Sequence, residues 1–253
     1  MIFRRRIPKR RPCVPDGQRI YAIGDIHGRL DLLSDLVAQI EQDDRARAPV
    51  TATTLVLLGD LVDRGPDSAG VIRFARDLAA GGRLDLRLIM GNHEELLLLA
   101  AAGDAKAMRV LMRTGGEATF RSFGLGEEEI ARGSYHDLTR LLRDRLPPVD
   151  LEFLRSGEDM IVFGDYVFVH AGVRPGIPLD AQQPADLRWI RGEFLESTRD
   201  HGKIVVHGHT PTTDVEDRSN RIGIDTGAYA TGRLTAIGLD REERWFLATE
   251  TSS

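Results

Sequence analysis

The chain has 253 residues, 42% hydrophobic and 29% charged, the balance of an ordinary globular domain near the upper size for one core and not of a disordered, collagenous or membrane chain. Only three of its 34 basic residues are lysine (Lys9, Lys106 and Lys203), a skew that suggests a GC-rich bacterial genome. The net charge is −5, yet Arg4, Arg5, Arg6, Lys9, Arg10 and Arg11 crowd the N-terminus, leaving a body so acidic that duplex DNA is excluded as a partner.

Those charges and Pro8, Pro12 and Pro15 make residues 1–16 read as a mobile basic tail, with a single domain over 17–253. The tail lacks the apolar segment of a secretory signal, and no stretch reaches the ~18–20 apolar residues of a membrane span. The lone Cys13 can form no internal disulfide, so the expectation is a cytoplasmic protein.

From Gln18 short apolar runs alternate with helical patterns. Residues 19–23 read as a buried strand, 24–28 as a loop, and Leu30, Leu33, Leu36, Val37 and Ile40 recur at helical spacing. A strand at 55–58 runs into Gly59-Asp60, and a helix follows through Val71, Ile72, Phe74, Ala75 and Leu78 to a stop at Gly81-Gly82. A third strand at 84–90 leads into Gly91-Asn92-His93 and a helix from about Glu94. Three such units in succession predict a parallel sheet, and an α/β fold. Residues 103–155 break the rhythm. Their Gly/Glu-rich middle, a helix at 137–146 and a stop at Pro147-Pro148 predict a mostly helical insertion without a chemical motif. Strands at 160–163 and 166–169 flank Gly164-Asp165, a Gly-first pair that favours a type II′ hairpin, and more strands are expected at 204–206, 221–224, 234–239 and 244–247.

Five of the seven histidines (His27, His93, His170, His207 and His209) sit just past predicted strands, beside Gly, Asp or Asn. In open α/β sheets functional groups gather outside the carboxyl ends of the strands, so loops distant in sequence converge. The loops are Gly24-Asp25-Ile26-His27-Gly28, Gly59-Asp60-Leu61-Val62-Asp63-Arg64-Gly65, Gly91-Asn92-His93-Glu94, His170-Ala171-Gly172 and His207-Gly208-His209-Thr210. Asp25 and His27, two apart in an extended segment, offer an oxygen and a nitrogen to one ion. The two oxygens of Asp60 suit a bridge between two ions. Singly, each motif has a plainer reading: a surface Asp/His pair, a turn with a salt bridge, a helix N-terminus capped by Asn. Together, in this order and at strand ends, they point to a metal site.

This set resembles the signature of the calcineurin-like metallophosphoesterases, specifically the PPP-type branch of serine/threonine phosphatases and diadenosine tetraphosphatases, over most of residues 18–239. The resemblance implies a β-sandwich flanked by helices with a dinuclear centre at its mouth. Asp25, His27 and Asp60 would hold one ion, and Asp60, Asn92, His170 and His209 the other. His207 matches no ligand position and reads as a packed side chain. Mixed oxygen and imidazole donors without thiolate suit Mn²⁺, Fe or Zn better than Ca²⁺, and Mn²⁺ is the expectation. Two ions about 3.5–4 Å apart can activate a bridging hydroxide and neutralise phosphoryl oxygens. Arg64 would clamp phosphate through its planar fork of donors, joined by Asn92, Tyr229 and a second arginine from Leu187-Arg188-Trp189-Ile190-Arg191, with Arg191 favoured over Arg188. His93 would be the general acid for the leaving group, with Asp63 accepting its other ring proton.

The expected activity is metal-dependent hydrolysis of phosphate monoesters, most simply by a serine/threonine or dual-specificity protein phosphatase acting on a phosphoprotein or a phosphorylated small molecule. The alternative is a hydrolase of dinucleoside polyphosphates such as diadenosine tetraphosphate. A catalytically dead metal-binding scaffold would not need the whole ligand set, and no RNA-binding signature follows the basic tail. The insertion is expected to shape the groove that selects substrate. Nothing in the sequence specifies the oligomeric state.

Overall fold

The computed structural model describes residues 11–81 and 83–249, so the first ten residues of the basic tail and Gly82 of the predicted helix stop lie outside the described residues. In chain order the elements are β1 (Gln18–Ile23), α1 (Leu30–Ala46), β2 (Ala52–Leu57), α2 (Ser68–Gly81), β3 (Asp85–Leu88), α3 (Asn92–Ala102), α4 (Ala105–Arg113), α5 (Gly116–Ser122), α6 (Glu127–Arg132), α7 (Tyr135–Arg145) and α8 (Pro148–Arg155). Then come β4 (Ile161–Phe163), β5 (Tyr166–Phe168), α9 (Pro184–Trp189), α10 (Gly192–Leu195), β6 (Ile204–His207), β7 (Glu216–Asp217), β8 (Arg221–Gly223), α11 (Ala228–Thr231), β9 (Thr235–Asp240) and β10 (Glu243–Ala248).

Among the described residues these strands form two five-stranded sheets, ordered β10-β9-β1-β2-β3 and β4-β5-β6-β8-β7. β1, β2 and β3 pair in parallel, as do β5, β6 and β8; β9 and β10 join the first sheet antiparallel. The apolar runs fix the layering. Ile20, Ala22, Val56, Leu58, Ile237 and Leu239 of the first sheet meet Tyr166, Phe168, Val206 and Ile222 of the second. Their alternates Tyr21, Ile23, Leu55 and Leu57 face Leu33, Leu36, Ile40, Val71, Ile72 and Ala75 of α1 and α2. On the far side Val167, Val169 and Val205 lie under Leu187, Ile190 and Phe194. The result is helices, sheet, sheet, helices: the expected α/β sandwich. Strands buried on both faces need no polar side, which is why they read as unbroken apolar runs.

Local details follow residue chemistry. β4 and β5 turn at Gly164-Asp165, where Gly164 takes φ +56°, the positive first position of the expected turn. Asp104 caps α4 by accepting from the N–H groups of Lys106 and Ala107. Ser134 and Asp137 cap α7 reciprocally, which starts that helix earlier than its apolar pattern alone suggested. Pro148, read from sequence as part of a stop, instead opens α8 at the first helical position, where a missing N–H costs nothing.

The end of the segment read as a tail is docked on the domain. Cys13 O accepts from Asp165 N–H at 2.9 Å, Val14 N–H donates to Arg241 O at 3.0 Å, and Val14 is buried between the sheets. The backbone of Cys13 and Val14 thus ties the hairpin turns of both sheets together, inside the segment assigned to the tail. Among the described residues no helix is long and apolar enough to cross a membrane.

Candidate metal centre

The carboxyl ends of β1, β2, β3, β5 and β6 open at one mouth of the sandwich, and the five loops meet there. Backbone bonds lock the first two together: the N–H groups of Ile26 and His27 both donate to Asp60 O, at 3.1 and 2.8 Å, and Gly28 N–H donates to Leu61 O at 2.8 Å. Five of the six non-glycine residues with left-handed backbone among the described residues lie here: His27, Asp60, Asp63, Arg64 and His209. Such conformations are costly and persist where surrounding contacts over-determine them, commonly at functional sites.

Asp60 stands at the centre, almost wholly buried. Its Oδ2 lies 3.5 Å from His27 Nε2 and 3.9 Å from His93 Nε2, while its Oδ1 lies 3.4 Å from His170 Nε2. His170 Nε2 is in turn 2.9 Å from Asn92 Oδ1 and 3.1 Å from His209 Nδ1. One carboxylate therefore serves two donor groups, His27/Asp60/His93 and Asp60/His170/His209. Backbone carbonyls orient the rings: Nδ1 of His27 faces Val62 O and Nδ1 of His170 faces Leu58 O, both at 2.8 Å, which directs each Nε2 toward Asp60.

Burial opposes ionisation of Asp60, but His170, His93 and His27 hold its carboxyl well below the usual range. Burial drives His27 down to about 3 and His209 to about 2, the latter helped by the neighbouring His170. Asp60 keeps His170 and His93 above their ordinary value against the pull of burial, with Asp63 assisting at His93. A buried anion ringed by imidazole nitrogens, with His209 Nε2 left without a hydrogen-bond partner, is a donor set that fits divalent transition-type ions.

Asp25, buried at the same mouth, lies against the His209 loop. Both its oxygens accept from His209 N–H, at 3.0 and 3.1 Å, while His93 lies close to the His27 and Asp60 donor atoms. Burial, with Asp225 and Asp60 close by, holds the Asp25 carboxyl well above the usual range.

The residues expected to meet the substrate line the same mouth. Arg64 Nη1 lies 2.7 Å from His27 Nε2 and Nη2 lies 3.0 Å from His93 Nε2. His93 Nδ1 is 2.6 Å from Asp63 Oδ2. Arg188 is spent on Asp159 and Glu95, both at 2.6 Å, whereas the Arg191 guanidinium reaches Thr210, next to His209, at 3.4 Å and no other side chain among the described residues. Tyr229, 40% exposed, sets its ring edge-on to His27 with the Arg64 guanidinium 4.8 Å from its centroid. An open cleft of about 720 Å³ bounded by Arg29, Arg64, Pro66 and Tyr229 lies alongside. His207, by contrast, turns away and packs against Phe194.

Two buried acids escaped the sequence reading. Glu94 accepts from the N–H groups of Asp60, Leu61, Val62 and Gly91, at 2.7 to 3.3 Å, and so clamps the Asp60 loop to the start of α3. Its position three residues past Gly91, reaching back to that N–H as a capping-box acid does, was the available signal. Asp225, beyond β8, lies beside Asp25 with its carboxyl raised by burial; an isolated Asp-Thr-Gly gave no cue.

Residues 18–237 match the family described as calcineurin-like phosphoesterase. The chain is 31% identical over 218 residues to a symmetrical bis(5′-nucleosyl)-tetraphosphatase of Nitrosospira multiformis, covering 82% of this chain and 66% of that protein. It is 28% identical over 226 residues to serine/threonine-protein phosphatase 1 of Salmonella typhimurium, covering 86% and 90% of the two chains. Among solved structures, a candidate diadenosine tetraphosphatase superposes with a TM-score of 0.62 at 21% identity over 97% of both chains. A cold-active protein-tyrosine phosphatase of a Shewanella species does so with a TM-score of 0.56 at 20% identity, over 93% of this chain and 83% of that one. With the strand-end loops converging on a buried carboxylate and its histidines, the match over most of the chain places this protein in the calcineurin-like phosphoesterase family.

Proposed function

We propose that this protein hydrolyses phosphate monoesters at a dinuclear centre loaded with Mn²⁺, acting on phosphoserine and phosphothreonine of proteins in the cytoplasm. The observation that carries the reading is Asp60, whose two oxygens address two separate imidazole groups. Asp25, His27, Asp60, Asn92, His170 and His209 are the residues that would hold the ions. Bound there, two divalent ions supply an activated water and offset the charge of the phosphoryl group.

The chain's own residues do the rest. Arg64 and Arg191 approach the mouth from opposite loops and supply guanidinium donors to the phosphoryl oxygens. His93, held on Asp63, presents Nε2 to the leaving-group oxygen and gives it a proton as the ester bond breaks. Tyr229 and the open cleft beside it receive the body of the substrate.

A second reading, hydrolysis of a dinucleoside polyphosphate, is favoured by the relatives named as tetraphosphatases. The two are separated by kcat/KM for a phosphoserine peptide and for diadenosine tetraphosphate, measured in one Mn²⁺ buffer. The phosphatase reading expects the peptide to be turned over faster. A tenfold preference for the dinucleotide reverses the substrate, and full activity after chelator treatment overturns both readings.

A further inference from the structure

The insertion, in which the sequence showed no chemistry, reaches the heart of the site at one corner. α4 ends at Arg113, the chain reverses through Thr114 and Gly115, and α5 brings Thr119 beneath Asp63 with no exposed surface. Thr119 Oγ1 lies 2.6 Å from Asp63 Oδ1, 2.9 Å from Asp63 N and 2.9 Å from Ser68 Oγ. Proton directions follow from the groups. Thr119 O–H donates to Asp63 Oδ1, and with its one proton so used its oxygen accepts from Ser68 O–H and from Asp63 N–H, which is shared with Ser68 Oγ at 3.0 Å. A helical threonine ordinarily spends its hydroxyl on the preceding turn of its own helix. Thr119 directs it to a loop 56 residues away.

The consequence lies on the other oxygen of Asp63. Oδ2 is the partner of His93 Nδ1 at 2.6 Å, so the bond that holds Oδ1 also restrains how Oδ2 is presented to the imidazole. Asp63 itself sits at φ +72°, a conformation that needs such outside support. The same corner holds the neighbouring residue: Arg64 N–H donates to Gly115 O at 3.0 Å and Arg64 Nε to Thr114 O at 3.4 Å.

We infer that Thr119 is a positioning residue for proton transfer: it orients Asp63, Asp63 orients His93, and the helical insertion thereby becomes part of the catalytic apparatus. The inference rests on the proposed role of His93 as general acid, and the test separates the two. In the Mn²⁺-loaded full chain, kcat is measured on aryl phosphates of graded leaving-group acidity for the native protein, Thr119→Val and Thr119→Ser. Thr119→Val is expected to lower kcat about 10- to 100-fold, the usual cost of losing a group that orients a catalytic side chain. Its KM should hold, the deficit should grow as the leaving group becomes less acidic, and Thr119→Ser should recover most of the rate. Where the valine variant does not fold, Thr119→Ala, which leaves space and adds no misplaced methyl, takes its place.

An equal deficit on every leaving group, or a serine variant no better than valine, overturns the inference and leaves Thr119 as packing. If the native protein hydrolyses no aryl phosphate, the functional reading fails on its own, and proton NMR of the metal-free protein decides the positioning role. The His93 Nδ1–H resonance, identified by its loss in His93→Asn, should lie far downfield in the native and serine proteins and move upfield in Thr119→Val. An unmoved resonance in the valine variant overturns the inference there as well.

Discussion

The loops at the strand ends and the helical segment 103–155 meet at one site, but they reach it by different routes. Each loop follows a parallel strand and delivers an Asp, Asn or His whose chemistry is visible in its type. The α4–α5 corner delivers a hydroxyl, two carbonyls and a glycine, groups that occur everywhere in a protein. The first region supplies the reacting groups. The second holds Asp63 and Arg64, two residues with left-handed backbone that would not keep their geometry alone. Chemistry-bearing residues therefore announce themselves, while those that hold them in place become visible only when the chain is folded.

The hardest test of that division is Asp60→Asn, at the residue both donor groups share. It should empty both metal positions and reduce hydrolysis by on the order of 10³-fold or more, since several kcal/mol of charge stabilisation are lost together. Metal content by mass spectrometry and kcat on an aryl phosphate are the readouts. Two retained ions would show that the groups are held independently, and the central role given to Asp60 would be abandoned.

His93→Asn comes next, paired with Asp25→Asn, because the two residues flank the same ion position and are expected to do different things there. His93 lies close to the donor atoms of His27 and Asp60, and the resemblance makes Asp25 the ligand and His93 the acid. His93→Asn should keep its metal and lose roughly 10²–10⁴-fold in kcat, with the loss shrinking for acidic leaving groups. Asp25→Asn should lose metal. The reverse pattern would make His93 a ligand and leave the site without the general acid proposed for it.

A smaller effect is expected at Gly115, the seat of Arg64. A Cβ there would lie 2.7 Å from Arg64 Cγ, on a backbone at φ +111°. Gly115→Ala should cost about 1–3 kcal/mol of stability and displace the guanidinium, lowering kcat/KM about tenfold, equivalent to about 1.4 kcal/mol. Unchanged kinetics with reduced thermal stability would mean that Arg64 finds its place without the insertion.

How far the sequence could be read follows the same line. β1 and the end of β2 were legible because unbroken apolar runs stop at Gly-Asp, yet β2 begins earlier, at Ala52, where Thr53 and Thr54 carry strand-forming shape without apolar character. The two-residue β7 and the short α9, α10 and α11 have no period long enough to show. Glu94 stood inside a quoted motif without a role, because its partners are backbone N–H groups from another loop. Thr119 carried no signal at all: its partner Asp63 is 56 residues away, and only the packing of α5 under the Asp60 loop joins them.

The smallest effect belongs to the outer side of the insertion, and it separates two uses of that segment. α6 lies toward solvent, with Glu128 and Arg132 paired at 3.9 Å and both about four-fifths exposed. Removing the pair by Glu128→Ala and Arg132→Ala should alter stability by less than about 0.5 kcal/mol, because exposed pairs of this kind gain little over their hydration. If the insertion serves the site only through its inner corner, kcat/KM should hold for an aryl phosphate and for a phosphopeptide alike. A loss confined to the phosphopeptide would mean that the outer face also reads substrate, as the sequence led one to expect of this segment. That outcome would leave the positions of Asp63 and Arg64 untouched, since their bonds to the insertion run to Thr114, Gly115 and Thr119, and would give the insertion two separate tasks on its two faces.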